Sequence, residues 1–332
     1  MTPNELFIEL SQMAKEHIRC SVMIWGPPGV GKSSIVEQVA TANNMQIIDL
    51  RLSQLAPTDL RGLPVAKDGI SSWYPPSFLP KDGEGVLFLD EINMAPPAMQ
   101  GVAQQLILDR RVGDYRLPEG WLVWAAGNRK ADRAAVFDMP SALANRFLHY
   151  EIDADINDFK SWALRQGLHE EILGFLLFRP SLLHKNDAKQ LAWPSPRSWE
   201  MADTLYKAGL SIAPAVGDAT AAEHAGYRAV FERLPDLEAI LAGNAKVEFP
   251  EEPSARYAVV LGLAMRAQDA AQVGRALTWL QKGASGEWIQ LFLSDAMTLF
   301  RERGRIGELL SVLNSEPAFK KLAAELRDMM VS

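Results

Sequence analysis

Eight consecutive residues carry the most specific chemistry in this chain: Gly26, Pro27, Pro28, Gly29, Val30, Gly31, Lys32 and Ser33, with Ser34 next in line. They match the spacing G-x-x-x-x-G-K-[ST] in full. Glycines placed this way let backbone N–H groups turn inward on phosphate oxygens, Lys32 reaches the terminal phosphates, and the Ser33 hydroxyl can ligate Mg²⁺. An apolar run ending at Trp25 precedes the loop and a helical stretch follows it, so strand, loop and helix stand in the required order. The start of that helix adds partial positive charge where the anion would sit.

A second apolar run, within residues 85 to 91, ends in Asp90 and Glu91. A buried strand tolerates two acids at its end only where they face a site. Asp90 would hold Mg²⁺, directly or through water, and Glu91 would act as general base on the attacking water. The plainer alternative is a strand end followed by a helix start, signalled by Asn93 and Pro96. A third apolar run, residues 121 to 126, leads to Gly127 and Asn128. An uncharged amide there can hydrogen-bond the attacking water or a terminal phosphate. A simple turn at Gly127-Asn128 is the competing reading.

The elements that must position these groups follow from periodicity. Short apolar runs at 22–25, 45–50, 86–90, 121–126 and 147–152 alternate with helical stretches, the pattern of a parallel sheet covered on both faces. From residue 157 onward no strand run recurs; helical segments are broken at prolines, and amphipathic stretches at 255–268, 270–282, 287–301, 306–313 and 318–330 follow one another. The organisation expected is an N-terminal helix over 1–20, a nucleotide-binding domain over 21–153, an α-helical lid over 154–253 and a C-terminal helical region over 254–332.

In the order and context of these motifs the sequence resembles AAA+ ATPases, and within them the MoxR-like group related to the dynein AAA modules. The resemblance covers about the first 60% of the chain. It implies an α/β P-loop NTPase fold with sheet order 5-1-4-3-2, followed by an all-α lid. ATP and Mg²⁺ become the expected ligands, and ATP hydrolysis the expected reaction. Asn128 falls at the family's sensor-1 position. Arg146, at the end of a short helical segment from Pro140, resembles the arginine finger offered to a neighbouring subunit, a task that suits a permanently charged, two-pronged donor. A cation at a helix end is the alternative there, and Arg129 and Arg133 are rival fingers. Arg197, in the first turn of a helix opening at Ser195 and Pro196, resembles the sensor-2 arginine; an ordinary surface ion pair is its alternative. The hairpin expected over 111–117 resembles the helix-2 insertion of the MoxR-like clade. The family further implies a homo-oligomeric, hexameric ring and a protein client, often one with a von Willebrand factor A domain.

Composition bounds the rest. The 332 residues carry 34 Lys+Arg against 41 Asp+Glu, a formal charge of -7 that argues against a broad nucleic-acid-coating face. A nucleic-acid loader or translocase is thereby the second reading. One cysteine, Cys20, cannot pair internally and reads as structural, which fits a reducing cytoplasm. No apolar run is long enough for a membrane span. The aromatic and proline-rich stretch 73–78 reads as a loop, packed on its own domain or facing a partner.

Overall fold

A computed structural model describes residues 1–132, 136–187, 190–315 and 319. The chain divides into two compact units, Met1–Asp155 and Ile156–Ser332.

The first unit begins with helix α1, Pro3–Lys15. A reciprocal cap starts it: the Glu5 N–H donates to Thr2 Oγ1 at 3.2 Å, and the Thr2 N–H donates to Glu5 Oε2 at 2.8 Å. Strand β1, Ser21–Trp25, leads through the loop into α2, Lys32–Ala42. Then come β2 (Gln46–Arg51), the short α3 (Pro57–Arg61), β3 (Leu63–Lys67), β4 (Ile70–Tyr74) and β5 (Gly85–Asp90). Helix α4 (Pro97–Asp109), β6 (Arg111–Val112), β7 (Tyr115–Arg116), β8 (Trp121–Gly127), α5 (Ser141–Ala144) and β9 (Phe147–Glu151) complete the unit. Five of these strands form one sheet in the order β2-β5-β8-β1-β9, every pairing parallel. Counting those five strands along the chain, this is the 5-1-4-3-2 order expected of the fold.

The three central strands explain why the sheet holds. Side chains alternate between faces. Val22, Ile24, Val86, Phe88, Leu122 and Trp124 pack on one face with Leu6 and Leu10 of α1 and Val36 and Val39 of α2. Met23, Leu87, Leu89, Val123 and Ala125 pack on the other with Met99, Val102 and Leu106 of α4. All of these residues are nearly or fully buried, each worth about 1.5–3 kcal/mol on burial for the larger side chains. Because the strands are parallel, their carboxyl ends, and the loops leaving them, share one edge.

Two hairpins lie outside the main sheet. The smaller, β6–β7, spans the residues expected to form one. It lies between α4 and β8. The larger hairpin, β3–β4, falls between Arg51 and Gly85, and sequence reading missed it. Trp73 and Tyr74 belong to it as strand residues rather than to a loop, and the Trp73 N–H donates to Asp114 Oδ2 at 2.7 Å within the same unit. Cys20 is exposed just before β1, so it has no packing role.

The second unit is helical among its described residues: α6 (Ile156–Gln166), α7 (Glu170–Phe178), α8 (Pro196–Lys207), α9 (Ala213–Val216), α10 (Asp218–Phe231), α11 (Leu237–Leu241), α12 (Pro253–Arg266), α13 (Ala270–Leu280), α14 (Gly286–Glu302) and α15 (Ile306–Ser315). Apolar α7 packs on α12, and α14 packs on both α12 and α6, so helices on either side of residue 253 share one core. The expected helix over 318–330 lies outside the described residues, apart from Phe319.

Candidate nucleotide site

The loop after β1 is shaped by its glycines. Gly29 and Gly31 have φ of 79° and 101°, left-handed backbone that other residues adopt at a cost. Gly26 faces a tight neighbour: a Cβ there would lie 2.9 Å from the Ile152 carbonyl oxygen. Gly31 is the N-cap of α2, and the first helical bond runs from the Ile35 N–H to the Gly31 carbonyl at 2.9 Å. The N–H groups ahead of Ile35, those of Ser33 and Ser34 among them, belong to the first turn, which an α-helix leaves without i−4 carbonyl partners. Pro27, Pro28 and Val30 complete the arch, with Val30 buried.

Lys32 is nearly buried, and its ammonium donates to the carbonyls of Gly26 (2.8 Å) and Pro27 (3.1 Å) and to Asn128 Oδ1 (3.0 Å). The Ser33 hydroxyl donates to Asp90 Oδ2 at 2.8 Å, joining the helix start to the end of β5. Asp90 Oδ1 accepts the Glu91 N–H at 2.8 Å. Glu91 itself has φ of 56°, a left-handed conformation that costs a non-glycine residue on the order of 1–3 kcal/mol. Its carboxylate accepts a short hydrogen bond from the Ser53 hydroxyl. Asn128, just past β8, sends Nδ2–H to the Met94 sulfur at 3.4 Å.

Thus the structure brings the loop residues, Asp90, Glu91 and Asn128 to one edge of the sheet. Hydroxyl and carboxylate oxygens at Ser33 and Asp90 are hard donors in direct contact, a pair that fits Mg²⁺. Asp49, near the end of β2, adds to the acidic side: burial first, then the Asp90 carboxylate, push its carboxyl above the usual range against the pull of Arg51. Ser53 and Asp49 escaped the sequence reading, since a polar residue near the end of an edge strand has no motif to mark it.

Three candidate arginines differ. Arg146 is exposed in the turn after α5, and among the described residues its guanidinium has no acidic partner. Arg129 is held by Asp132, Glu151 and Asp153 at 2.8–2.9 Å, which raises its pKa, through Asp132 first, and occupies the guanidinium within its own chain. Arg133 lies outside the described residues. Arg197 belongs to the second unit, exposed on the first turn of α8. There the Ser195 side chain caps the helix by accepting the Ser198 N–H at 3.1 Å.

The part of the chain that carries this site is similar to a known family. Residues 21–147 match the family model of the AAA domain, dynein-related subfamily. Midasin from Giardia intestinalis is 24% identical over 152 residues, which cover 43% of this chain and 3% of that protein. Among solved structures, NtrX from Brucella abortus in complex with ADP aligns over 94% of this chain and 66% of its own at 16% identity, TM-score 0.44. A RuvB variant from Thermotoga maritima aligns over 74% and 77% at 15% identity, TM-score 0.42. The chain thus spans a small part of midasin and about two thirds of NtrX. The family match, the sheet order and the loop geometry agree on one point: residues 21–147 are similar to the AAA domain of the dynein-related subfamily and share its P-loop fold.

Proposed function

We propose that this chain binds ATP with Mg²⁺ and hydrolyses it as a MoxR-like AAA+ protein. In this reading it forms a hexameric ring in the cytoplasm, Arg146 completes a neighbour's site, and turnover drives remodelling, maturation or activation of a protein partner. The partner class suggested by the resemblance is a von Willebrand factor A domain protein. One observation carries the reading: Ser33 meets Asp90 and Lys32 meets Asn128, while Glu91 stands beside Asp90 and outside both pairs.

Each residue then has a task. The N–H groups at the start of α2 and the Lys32 ammonium bind the phosphates. Ser33 and Asp90 would hold Mg²⁺, which when bound would neutralise charge on the phosphate oxygens. Glu91 takes the proton from the attacking water; a carboxylate one residue from Asp90, held by the Ser53 hydroxyl, suits that role. The Asn128 amide has its oxygen toward Lys32 and its N–H groups toward a sulfur, a weak acceptor that a phosphate oxygen can replace. Arg146, exposed and without an acidic partner among the described residues, is available to phosphates across a subunit boundary. Arg197 is assigned by the resemblance to the γ-phosphate. An Arg197→Ala variant that binds ATP normally yet turns over slowly is the expected result.

The deciding experiment is the ATPase rate per subunit against protein concentration, repeated with increasing fractions of Arg146→Ala mixed into the native protein. The rate should climb with concentration and fall as the variant is added. A rate indifferent to both would remove the ring and the role of Arg146 together.

A further inference from the structure

Asn93 lies two residues beyond Glu91 and is buried, 3% exposed. Its side chain does what a strand would do. Nδ2–H donates to the Asn128 carbonyl at 2.7 Å, and Oδ1 accepts the Asn128 N–H at 3.2 Å. The carboxamide therefore continues the β5–β8 ladder past the point where the Asp90-Glu91 backbone turns away. Two neighbouring bonds reinforce it: the Ile92 N–H donates to the Ala126 carbonyl at 3.0 Å, and Met94 sulfur accepts from the Asn128 side chain. Gly127 fits the same account, because a Cβ there would lie 2.5 Å from Asn93 Oδ1 and would force the pair apart.

Resting on the proposed roles of Glu91 and Asn128, we propose that Asn93 is a positioning residue that holds Asn128 in register with Glu91. The group that reads the γ-phosphate and the group that activates water then move as one piece. Loss of the pair frees Asn128 from the turn that carries Glu91, while the phosphate loop keeps its own geometry. Asn93 touches neither phosphate nor water in this account. Its effect belongs to the chemical step and leaves nucleotide binding unchanged.

The test measures ATP turnover, affinity for ATP and the thermal midpoint in Asn93→Ala, Asn128→Ala and the double variant. Expected for Asn93→Ala is a fall in kcat of roughly tenfold or more with affinity within about threefold of native, and a double variant no slower than Asn128→Ala alone. Should Asn93→Ala fail to fold, Asn93→Asp keeps the volume and the acceptor while turning the donor into a second acceptor against the Asn128 carbonyl. Gly127→Ala should reproduce the same loss from the other side. Native kcat in the Asn93 variants beside a slow Asn128→Ala overturns the positioning role alone, as does turnover and binding lost in parallel. Native turnover in Asn128→Ala itself overturns the role of Asn128, and the proposal with it.

Discussion

Each unit of this protein buries a lysine, and the two are held differently. Lys32, in the first unit, donates to two main-chain carbonyls and an amide oxygen, all neutral. Lys160, on α6 of the second unit, meets the carboxylate of Asp295 on α14 at 2.6 Å, and Asp295 is 1% exposed. Neutral acceptors at the mouth of a loop can yield to a phosphate. A carboxylate buried between two helices has nowhere else to go. Burial of a cation alone therefore does not mark a site; the nature of its partners, and the segment that carries them, does.

The largest effect that would break this contrast comes from the first unit. Glu91→Gln removes the proposed base but keeps its shape, so turnover should fall about 10²–10⁴-fold while ATP binding persists. The stability of the fold should hold, since among the described residues the Glu91 carboxylate is hydrogen-bonded by the Ser53 hydroxyl, and the Gln carbonyl can still accept that bond. Turnover within threefold of native would show that Glu91 is an ordinary strand-end acid. Lys32→Met is the companion variant, expected to abolish ATP binding without unfolding the protein, as judged by nucleotide titration and circular dichroism.

Next in size is the buried pair. Removing one partner leaves the other charged in an apolar surrounding, so Lys160→Ala should destabilise the second unit by about 3–5 kcal/mol. Replacing both, as in Lys160→Met with Asp295→Leu, should come close to native stability. Burial already pushes the Asp295 carboxyl above the usual range, with Lys160 opposing it. Denaturant unfolding of the two variants decides the matter. Equal losses in the single and the double variant would mean that Asp295 and Lys160 contribute by packing and not as a pair.

How far the sequence disclosed all this depends on whether a residue's task is local. The five core strands and the loop between β1 and α2 were legible because apolar period and glycine spacing are local constraints that packing then reinforces. The terminal helices were similarly plain: 270–282 was expected where α13 runs Ala270–Leu280, and 287–301 where α14 runs Gly286–Glu302. The β3–β4 hairpin was missed because Leu63, Val65, Ile70 and Tyr74 are all more than 40% exposed, so no buried face marks it. Asn93 entered the sequence reading only in the alternative for Asp90-Glu91, as a helix-start signal beside Pro96; α4 begins at Pro97 with Pro96 as its cap, and Asn93 lies outside it. Its true partner is 35 positions away in the chain, and only the fold brings them together. Ser53 and Asp49 belong to the same class, visible once β2 lies beside β5.

The smallest of these effects compares two histidines. His149, on β9, has both ring nitrogens engaged, Nδ1 accepting from Trp25 Nε1–H at 2.8 Å and Nε2 facing the Ala144 carbonyl at 2.8 Å. His224, on α10, is 4% exposed, its Nε2 lies 3.7 Å from Glu171 Oε1, and that nitrogen has no hydrogen-bond partner among the described residues. Burial, helped by Arg228 and His169, pushes His224 down to about 4 from its ordinary 6.5. The folded state therefore refuses a proton that the unfolded chain accepts between those two values. Stability from this group is fully present above about pH 6.5 and is lost progressively as pH falls toward 4, at most about 3 kcal/mol and less if the Glu171 carboxylate shields the imidazolium. Comparing native protein with His224→Leu isolates the group, because other acids titrate alike in both. Unfolding midpoints of native protein at pH 7.5 and pH 5 should differ by more than those of the variant. An identical drop in the two would mean that the cluster around Glu171 accepts the proton at no cost, and that the second unit tolerates a buried charge as readily as the first.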